Sequence, residues 1–415
     1  MKLFAIAILY IISRWILSFI NRKSLQAIAN AEGDFVPNAF GCCGSLVHRY
    51  IRIEKTISGK LTDVKFHYVE SADRERECIV FLHGLMDTWR LWQHQLEFLS
   101  DRYYAIAFDL KGCGQSSMNY PRNLFPEVND PGGDYSLEMQ ADEIVTALET
   151  LGIKQFNLVA LDLGTIISDI LAGKYSDRIL RYIRCQQPLV GHFRSSIPQG
   201  AILRRKRGAR MFAAMLESDP SILLRILYGR TGWSVLDRQM KRTKQPLPDS
   251  VLASAVLEAS HAFQWGPRTG KPGIFAGAWA GLYQHNRDYG QFVQNNLQAY
   301  QNYAFPVFLF QGIHDIAMPP ERFDGTTGMA FKVVRSFNGT KTLLSRAFDR
   351  NGIGLGDGYE PWGTFIPGCD RPMQAQEFFP NAPSVALEFF DTGHFIPLEN
   401  PELFTDRLVK ALNPL

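Results

Sequence analysis

Short apolar runs recur along the chain from about residue 51, and helix-length segments separate the later ones. The runs are VKFHYVE, CIVFLHG, YAIAFDLKG, NLVALDLG, the stretch from Arg181 to Cys185, FPVFLFQG and VALEFFDTG. This alternation of strand-like and helix-like segments is typical of βαβ units, which build parallel sheets. We therefore predict an α/β fold with a mostly parallel, doubly wound sheet.

One long helical stretch interrupts the alternation of strand-like and helix-like segments. Roughly a hundred residues of helical character separate the run that ends at Cys185 from FPVFLFQG. We predict a helical cap at residues 191–304, inserted between two parts of an α/β core at residues 51–190 and 305–415. A Gly- and Pro-rich segment at residues 322–381 is longer than a usual connection between strands, and it is predicted to be an insertion in the second part of the core.

The chain begins with an almost wholly apolar segment, LFAIAILYIISRWILSFI at residues 3–20. Its length is close to the ~20 residues that a bilayer requires. A signal anchor, a cleaved signal peptide and an interfacial helix are the three interpretations. Because Arg22 and Lys23 follow directly, we favour a retained membrane anchor at residues 1–24, with its orientation left open. Residues 25–50 lack sustained periodicity and are predicted to be a connector.

Composition narrows the range of functions. The 415 residues carry 44 Lys and Arg against 41 Asp and Glu, and 46% are hydrophobic, which predicts a large core and gives no overall support for nucleic-acid binding. The six cysteines lack the paired spacing of a zinc site or redox dithiol, so we predict reduced, structural thiols and no metal. Basic residues gather in the predicted cap from LRRKRGAR at 203–210 onward, either as a solvated helix face or as a contact with anionic lipid headgroups.

The segment NLVALDLGT, Asn157 to Thr165, runs from a strand into the pattern small-x-Asp-x-Gly, and a helical stretch follows at once. This order of elements is that of a nucleophile elbow, in which Ala160 and Gly164 supply the small side chains that the sharp turn needs. The sequence contains no GxSxG motif, so Asp162 is the predicted nucleophile. The alternative is an ordinary surface aspartate.

Two partners follow in the chain order that a catalytic triad of this fold requires. Asp315 comes three residues after the end of FPVFLFQG, where a carboxylate can hold an imidazole, and it is the predicted acid. His394 lies in a Gly-His turn after VALEFFDT and is the predicted base. The backbone N–H groups of Leu85 and Leu163 are the predicted oxyanion hole. His83, just before Gly84 in FLHG, is predicted to orient that loop.

The segment HGLMDTWRLWQHQLEFLSDRYYAIAFDLKGCGQSS resembles the epoxide hydrolase and haloalkane dehalogenase branch of the α/β-hydrolases, and the resemblance extends from about residue 51 to the C-terminus apart from the insertion. It implies the α/β-hydrolase fold without a cofactor, and a covalent ester on the aspartate that a histidine-activated water hydrolyses. It also implies a proton-donating cap tyrosine, whose place Tyr283 in GLYQHNRDY would take. Tyr228 is the nearest candidate for a companion tyrosine earlier in the cap.

Members of this branch differ in the leaving group that their active-site residues stabilise. Dehalogenases carry Trp after the nucleophile and often Asn or Trp near the oxyanion loop, where this chain has Leu163 and Leu85. Epoxide hydrolases usually have Pro where this chain has Met86. We predict a membrane-associated, epoxide hydrolase-like enzyme that takes a lipophilic substrate. The alternatives are a haloalkane dehalogenase-like or other Asp-nucleophile hydrolase, or an inactive, membrane-tethered binding protein.

Overall fold

The computed structural model describes residues 46–71, 73–84, 87–114, 116, 136–186, 289–312 and 375–413. These ranges contain a sheet of eight strands. The strands are β1 (Val47–Ile57), β2 (Lys60–Glu70), β3 (Cys78–Leu82), β4 (Tyr104–Phe108), β5 (Phe156–Leu161), β6 (Ile179–Cys185), β7 (Val307–Gly312) and β8 (Val385–Phe390).

The strands lie in the order β1-β2-β4-β3-β5-β6-β7-β8. β1 and β2 form an antiparallel pair, and β2 is also antiparallel to β4, whereas β3 to β8 are parallel to their neighbours. Every residue of β3, β4 and β5 is buried, as expected where helices cover both faces of a parallel sheet. The predicted mostly parallel α/β sheet is confirmed.

Seven α-helices and two short 3-10 helices accompany the strands in the described ranges. The 3-10 helices are Trp89–Trp92 and Ser176–Arg178. The α-helices are α1 (Gln93–Leu99), α2 (Leu137–Thr150), α3 (Leu163–Lys174), α4 (Tyr289–Tyr300), α5 (Ala375–Phe378), α6 (Ile396–Glu399) and α7 (Pro401–Leu412).

The helices cover both faces of the sheet. On β6, Tyr182 and Arg184 reach towards α3, where both bond to Asp169. The register pairs the next residue of β6 with Phe310 of β7, and the Phe310 ring contacts Phe404 of α7 at 5.8 Å between centroids. Because alternate residues of a strand point to opposite faces, α3 and α7 lie on opposite sides. The sheet is therefore doubly wound.

β1 corrects one predicted boundary. The strand begins at Val47, inside the predicted connector, and pairs with β2 along its whole length. As an edge strand, β1 exposes three successive residues, His48, Arg49 and Tyr50, so apolar alternation becomes visible only at Ile51. The connector therefore ends before residue 47.

α4 corrects a second boundary, because it falls inside the predicted cap yet packs on the core. A Cβ atom added to Gly173 of α3 would lie 2.4 Å from the Cβ of Ala299, which shows how closely the two helices approach. Parallel neighbours such as β6 and β7 need a crossover connection, and α4 supplies its last helix. The predicted cap would therefore extend no further than residue 288.

Several predicted segments lie outside the described residues. They are the anchor at 1–24, most of the connector, the cap up to residue 288 with its basic stretch, and the insertion apart from its end, where α5 lies. Among the residues described, no helix has both the length and the apolar character needed to span a membrane.

Three cysteines are described, Cys78, Cys113 and Cys185, and all are buried free thiols. Burial raises the pKa of the Cys78 and Cys185 thiols well above the ordinary value. For these three, the prediction of reduced, structural cysteines is confirmed.

A buried ion pair between Arg184 of β6 and Asp169 of α3 joins the sheet to the helix. The Arg184 guanidinium donates to Asp169 over 2.8 Å, and neither side chain is more than 1% exposed. The Tyr182 and Tyr300 hydroxyls also donate to the Asp169 carboxylate, each over 2.9 Å. One carboxylate thus joins α3 to β6 and α4, and all of its donors are buried with it.

Replacing Asp169 with alanine should lower the free energy of unfolding by about 3–5 kcal/mol, because the Arg184 charge would remain buried without its partner. Urea unfolding followed by circular dichroism measures this. The control is Asp63→Ala, which breaks a surface pair with Arg52 and should leave the urea midpoint nearly unchanged. Equal midpoints for both variants would contradict the anchoring role of Asp169.

Candidate active site

Asp162 occupies the sharp turn between β5 and α3. Its φ of 54° and ψ of −117° lie in a region that side chains other than glycine rarely adopt. The turn is held from both sides: the Asp162 carbonyl accepts the N–H of Thr165 at 3.0 Å, and its own N–H donates to Cys185 at 3.3 Å. The predicted strand-to-helix elbow is confirmed, and it places the Asp162 side chain at the carboxyl edge of the sheet.

Two glycines allow the turn after β3 to touch the elbow. A Cβ on Gly164 would lie 2.5 Å from the carbonyl oxygen of His83, and a Cβ on Gly84 would lie 2.9 Å from the Cβ of Asp162. Both distances are shorter than real contacts of a Cβ atom allow. Ala160, the other small residue of the motif, is fully buried in β5.

His83 links this turn to the strand beside it. Its Nε2 accepts the N–H of Leu110 at 2.9 Å, and its Nδ1 lies 2.7 Å from the carbonyl oxygen of Gly84. Burial lowers the pKa of His83, so the ring is neutral, with Nδ1 as the donor. This geometry suits the predicted role of His83 in orienting the loop.

His394 lies beside Asp162, in the loop between β8 and α6. Its Nε2 is 3.6 Å from Oδ2 of Asp162, and both side chains are largely buried. The structure therefore brings the predicted nucleophile and the predicted base together. Because Nε2 faces Asp162, Nδ1 is the nitrogen that the predicted acid Asp315 would hold.

Glu399, at the end of α6, holds the backbone on both sides of the histidine. Its two carboxylate oxygens accept the N–H groups of Gly393 at 2.7 Å and Phe395 at 2.9 Å. Charged acceptors make strong hydrogen bonds to backbone donors. Glu399 therefore orients the His394 loop, and its only sequence signal is that it lies five residues after the histidine.

Gln186, directly after β6, ties two loops of the site together. Its backbone is in the left-handed region at φ 53°, and its side chain is fully buried. The amide donates to the carbonyl of Gly393 at 2.6 Å and accepts the N–H of Gly312 at 3.1 Å. It thus joins the loop of His394 to the end of β7, three residues before Asp315. The residues that Gln186 joins become neighbours only when the sheet folds. The sequence therefore gives no sign of these hydrogen bonds.

Asp87 adds a second buried carboxyl near Asp162, the predicted nucleophile. It is 5% exposed, and its Oδ1 accepts the N–H of Thr88 at 2.9 Å. Burial raises the pKa of Asp87 to about 7, against the opposing effects of the Thr88 N–H and the His394 charge, and the Asp162 and Asp109 carboxylates add to the increase. Nothing in the apolar pattern distinguishes Asp87 from a polar loop residue.

The other predicted site residues divide into two groups. Leu163 is the first residue of α3, a position whose N–H has no carbonyl four residues earlier in the helix to bond to, as an oxyanion donor requires. Asp315, Tyr283, Tyr228 and Leu85 lie outside the described residues, so their roles stay predictions. In the portions of the chain that are described, no three His, Cys, Asp or Glu residues form a group suited to a metal ion.

Comparisons with known proteins show what the chain is similar to. The family described as "alpha/beta hydrolase fold" matches residues 77–194. Relatives include epoxide hydrolase 1 of Caenorhabditis elegans, 28% identical over 36% of this chain and 32% of the relative. Epoxide hydrolase 3 of Xenopus tropicalis is 27% identical over 49% of this chain and 48% of the relative. The matches thus span at most about half the length of these relatives.

Solved structures agree on the fold. The Cif epoxide hydrolase from Acinetobacter nosocomialis superposes with a TM-score of 0.54 at 16% identity, covering 94% of this chain and 96% of the other. A thermophilic esterase from Thermogutta terrifontis gives a TM-score of 0.53 at 17% identity, covering 88% and 98%. The sheet, the elbow and these matches show the α/β-hydrolase fold. The curated relatives named above are epoxide hydrolases, so the chain is similar to the epoxide hydrolase-like branch of that fold.

The raised pKa of Asp87 predicts that Asp87→Asn stabilises the protein at alkaline pH. The folded carboxyl binds its proton more tightly than the ordinary value of 3.8 allows, so the wild type loses stability as the pH rises from about 4 to about 7. Asparagine is neutral throughout and avoids this loss. We expect a gain of roughly 2 kcal/mol at about pH 8, under a ceiling of about 4 kcal/mol, and almost none near pH 4.

Thermal unfolding at the two pH values measures this difference. Asp142→Asn is the matched control, because Asp142 is buried but has Lys174 and Tyr175 as partners. This control should lose stability at about pH 8. An Asp87→Asn variant that is less stable than the wild type at that pH would show that the Asp87 charge is well accommodated.

The two hydrogen bonds of the Gln186 side chain predict that Gln186→Ala has a local effect. The Gly312 amide would lose the acceptor that the side chain provides, whereas the Gly393 amide would keep its bond to Glu399. Hydrogen exchange resolved to single residues should therefore show faster exchange at Gly312, by about tenfold or more, with less change at Gly393. An unchanged exchange rate at Gly312 would contradict the role of Gln186 in holding the end of β7.

Proposed function

We propose that this protein is an epoxide hydrolase-like enzyme that opens a lipophilic epoxide through an ester on Asp162. The observation that carries the proposal is the placement of Asp162 at a positive φ on the elbow, with Nε2 of His394 at 3.6 Å from its carboxylate. A carboxylate nucleophile needs no prior deprotonation, so the histidine can serve the second step. The names of the similar curated proteins support the same chemistry.

In the first step, a carboxylate oxygen of Asp162 attacks an epoxide carbon and breaks its C–O bond. The released oxygen takes a proton from the cap, for which Tyr283 is the proposed donor and Tyr228 its candidate companion. The product is an alkyl ester on Asp162. The oxyanion hole has no part in this step, because charge develops on the epoxide oxygen.

In the second step, His394 takes a proton from water, and the water oxygen attacks the carbonyl carbon of the ester. Asp315 is proposed to stabilise the resulting imidazolium through Nδ1. The N–H groups of Leu163 and Leu85 are proposed to bind the oxyanion. Collapse releases the diol, and the second water proton returns to the proposed cap donor, which restores the Asp162 carboxylate.

The lipophilic nature of the substrate is inferred from the N-terminus. The apolar segment at residues 3–20 is proposed to keep the enzyme at a membrane, where apolar epoxides concentrate. A halide leaving group is less well served, because Leu163 and Leu85 offer no indole or amide side chain. Turnover of haloalkanes with halide release would favour the dehalogenase-like alternative.

The proposal predicts that His394→Gln traps the ester. The full-length variant is incubated with trans-stilbene oxide, styrene oxide and a panel of haloalkanes, and intact and peptide masses are then measured. We expect an added epoxide mass on the peptide that contains Asp162, because attack remains while hydrolysis slows, by about 100-fold or more. Asp162→Asn in the same background should give no adduct.

A single turnover of the wild type in water enriched in oxygen-18 provides an independent test. Water attacks the ester carbonyl in the proposed mechanism, so the label should enter the Asp162 carboxylate and not the first diol released. A labelled diol with an unlabelled peptide would indicate direct attack of water on the epoxide. Absence of both adduct and turnover with every compound would favour the binding-protein alternative.

A further inference from the structure

The position of Asp87 follows from two short contacts. Gly84 lies against the nucleophile, since its missing Cβ would be 2.9 Å from the Cβ of Asp162. The N–H of Asp87 donates to the carbonyl of Gly84 at 3.3 Å, which closes a tight turn. Asp87 is therefore one turn away from the residue that touches Asp162.

The same turn borders the histidine. Asp87 precedes Thr88, whose hydroxyl caps the 3-10 helix Trp89–Trp92. This helix packs against α6, which begins two residues after His394. The charged groups that act on Asp87 are His394, Asp162 and Asp109, so both the proposed nucleophile and the proposed base are within electrostatic reach.

The two oxygens of Asp87 have different surroundings. Oδ1 accepts the N–H of Thr88. Oδ2 is buried and makes no hydrogen bond to any group in the described part of the chain. A buried carboxyl oxygen without a partner costs free energy, so it calls for an explanation. The hydrogen bond that holds the turn does not explain the buried Oδ2, because Oδ1 alone makes that bond.

Asp109, the other carboxyl in this neighbourhood, is fully engaged in structure. Its Oδ2 bonds to His67 at 2.7 Å and its Oδ1 accepts the N–H of Trp89 at 2.8 Å. Asp109 therefore orders the loops around the turn. Asp87 is the carboxyl of this neighbourhood whose second oxygen is buried without a hydrogen-bond partner in the described part of the chain.

We propose that Asp87 is a further catalytic residue, whose Oδ2 accepts a hydrogen bond from the water that hydrolyses the Asp162 ester. This inference rests on the proposed function, because it assigns a role in the second step. The water then has two acceptors: Nε2 of His394 for the proton it loses, and Oδ2 of Asp87 for the proton it keeps. Two acceptors fix the orientation of the attacking lone pair.

The step balances without any added reagent. The water oxygen forms a bond to Cγ of the ester, and one proton passes to Nε2 of His394. The tetrahedral oxyanion then restores its C=O bond and breaks the bond from Cγ to the alkyl oxygen, which takes the proton from His394. The diol leaves, and the oxygen from water stays on Asp162 together with the second water proton. That proton returns to the proposed cap donor, which gave one up in the first step, so Asp162 ends as a carboxylate. Asp87 accepts a hydrogen bond throughout and ends unchanged.

Asp87→Asn tests this role sharply. The amide oxygen can still accept the Thr88 N–H, so the turn is kept, but an NH2 donor replaces the Oδ2 acceptor. With trans-stilbene oxide or styrene oxide in single-turnover measurements, ester formation should stay within about threefold of wild type. Ester hydrolysis should slow by about 10- to 100-fold, so that the ester accumulates on the Asp162 peptide.

Asp87→Glu and Asp142→Asn complete the design. Glutamate keeps an acceptor and should restore hydrolysis in part, which a purely structural role would not predict. Asp142 pairs with Lys174 at the far end of α3, about 18 Å along the helix from Asp162, so its variant should not accumulate ester even if it is less stable.

The outcomes separate this inference from the proposed function. If His394→Gln accumulates ester but Asp87→Asn hydrolyses it as fast as the wild type, the role of Asp87 is overturned and the proposed function stands. If Asp87→Asn slows ester formation rather than hydrolysis, the carboxyl acts on ring opening and the water-binding role is wrong. If His394→Gln forms no ester with any probe, the proposed function fails and this inference fails with it.

Discussion

The close approach of two loops at the ends of β3 and β5 is the constraint on which the site depends. These strands are parallel neighbours in register, with Leu82 opposite Ala160, so their carboxyl ends bring Gly84 and Asp162 into contact. Gly164, the second residue of α3, allows the helix to begin against the carbonyl of His83. A side chain at either glycine would push the two loops apart. The backbone of Asp162, the first N–H groups of α3 and the turn that carries Asp87 are all positioned by this one contact.

The histidine side of the site is held through its backbone. Glu399 binds the N–H groups on both sides of His394, and Gln186 binds the carbonyl just before it. None of these bonds uses the imidazole, so the loop can be rigid while the ring faces Asp162. Gln186 also binds the end of β7, so the loop of the predicted base and the strand end that precedes the predicted acid share one support.

Local sequence patterns predicted much of this arrangement. Seven strands and the elbow were visible because each depends on neighbouring residues, and His394 was visible because a Gly-His turn follows an apolar strand. The start of β1 was hidden, because an edge strand exposes polar residues on both sides. Gln186, Glu399 and Asp87 were hidden for another reason: their roles depend on partners that folding brings together. Asp315 and Tyr283 lie outside the described residues and stay predictions.

Two buried aspartates, Asp169 and Asp87, differ in how well their carboxyl groups are stabilised by hydrogen-bond donors. Asp169 receives hydrogen bonds from Arg184, Tyr182 and Tyr300, so its carboxylate is neutralised and contributes to the packing of three elements. Asp87 receives one backbone N–H, and burial raises its pKa to about 7. Folding alone would favour an apolar or amide side chain at this position, since an unpaired buried carboxyl costs stability. Local features that oppose stability tend to lie at functional sites. Asp87 lies one turn from the contact between Gly84 and Asp162, and the proposed reaction gives its carboxyl a role that the packing of the fold does not.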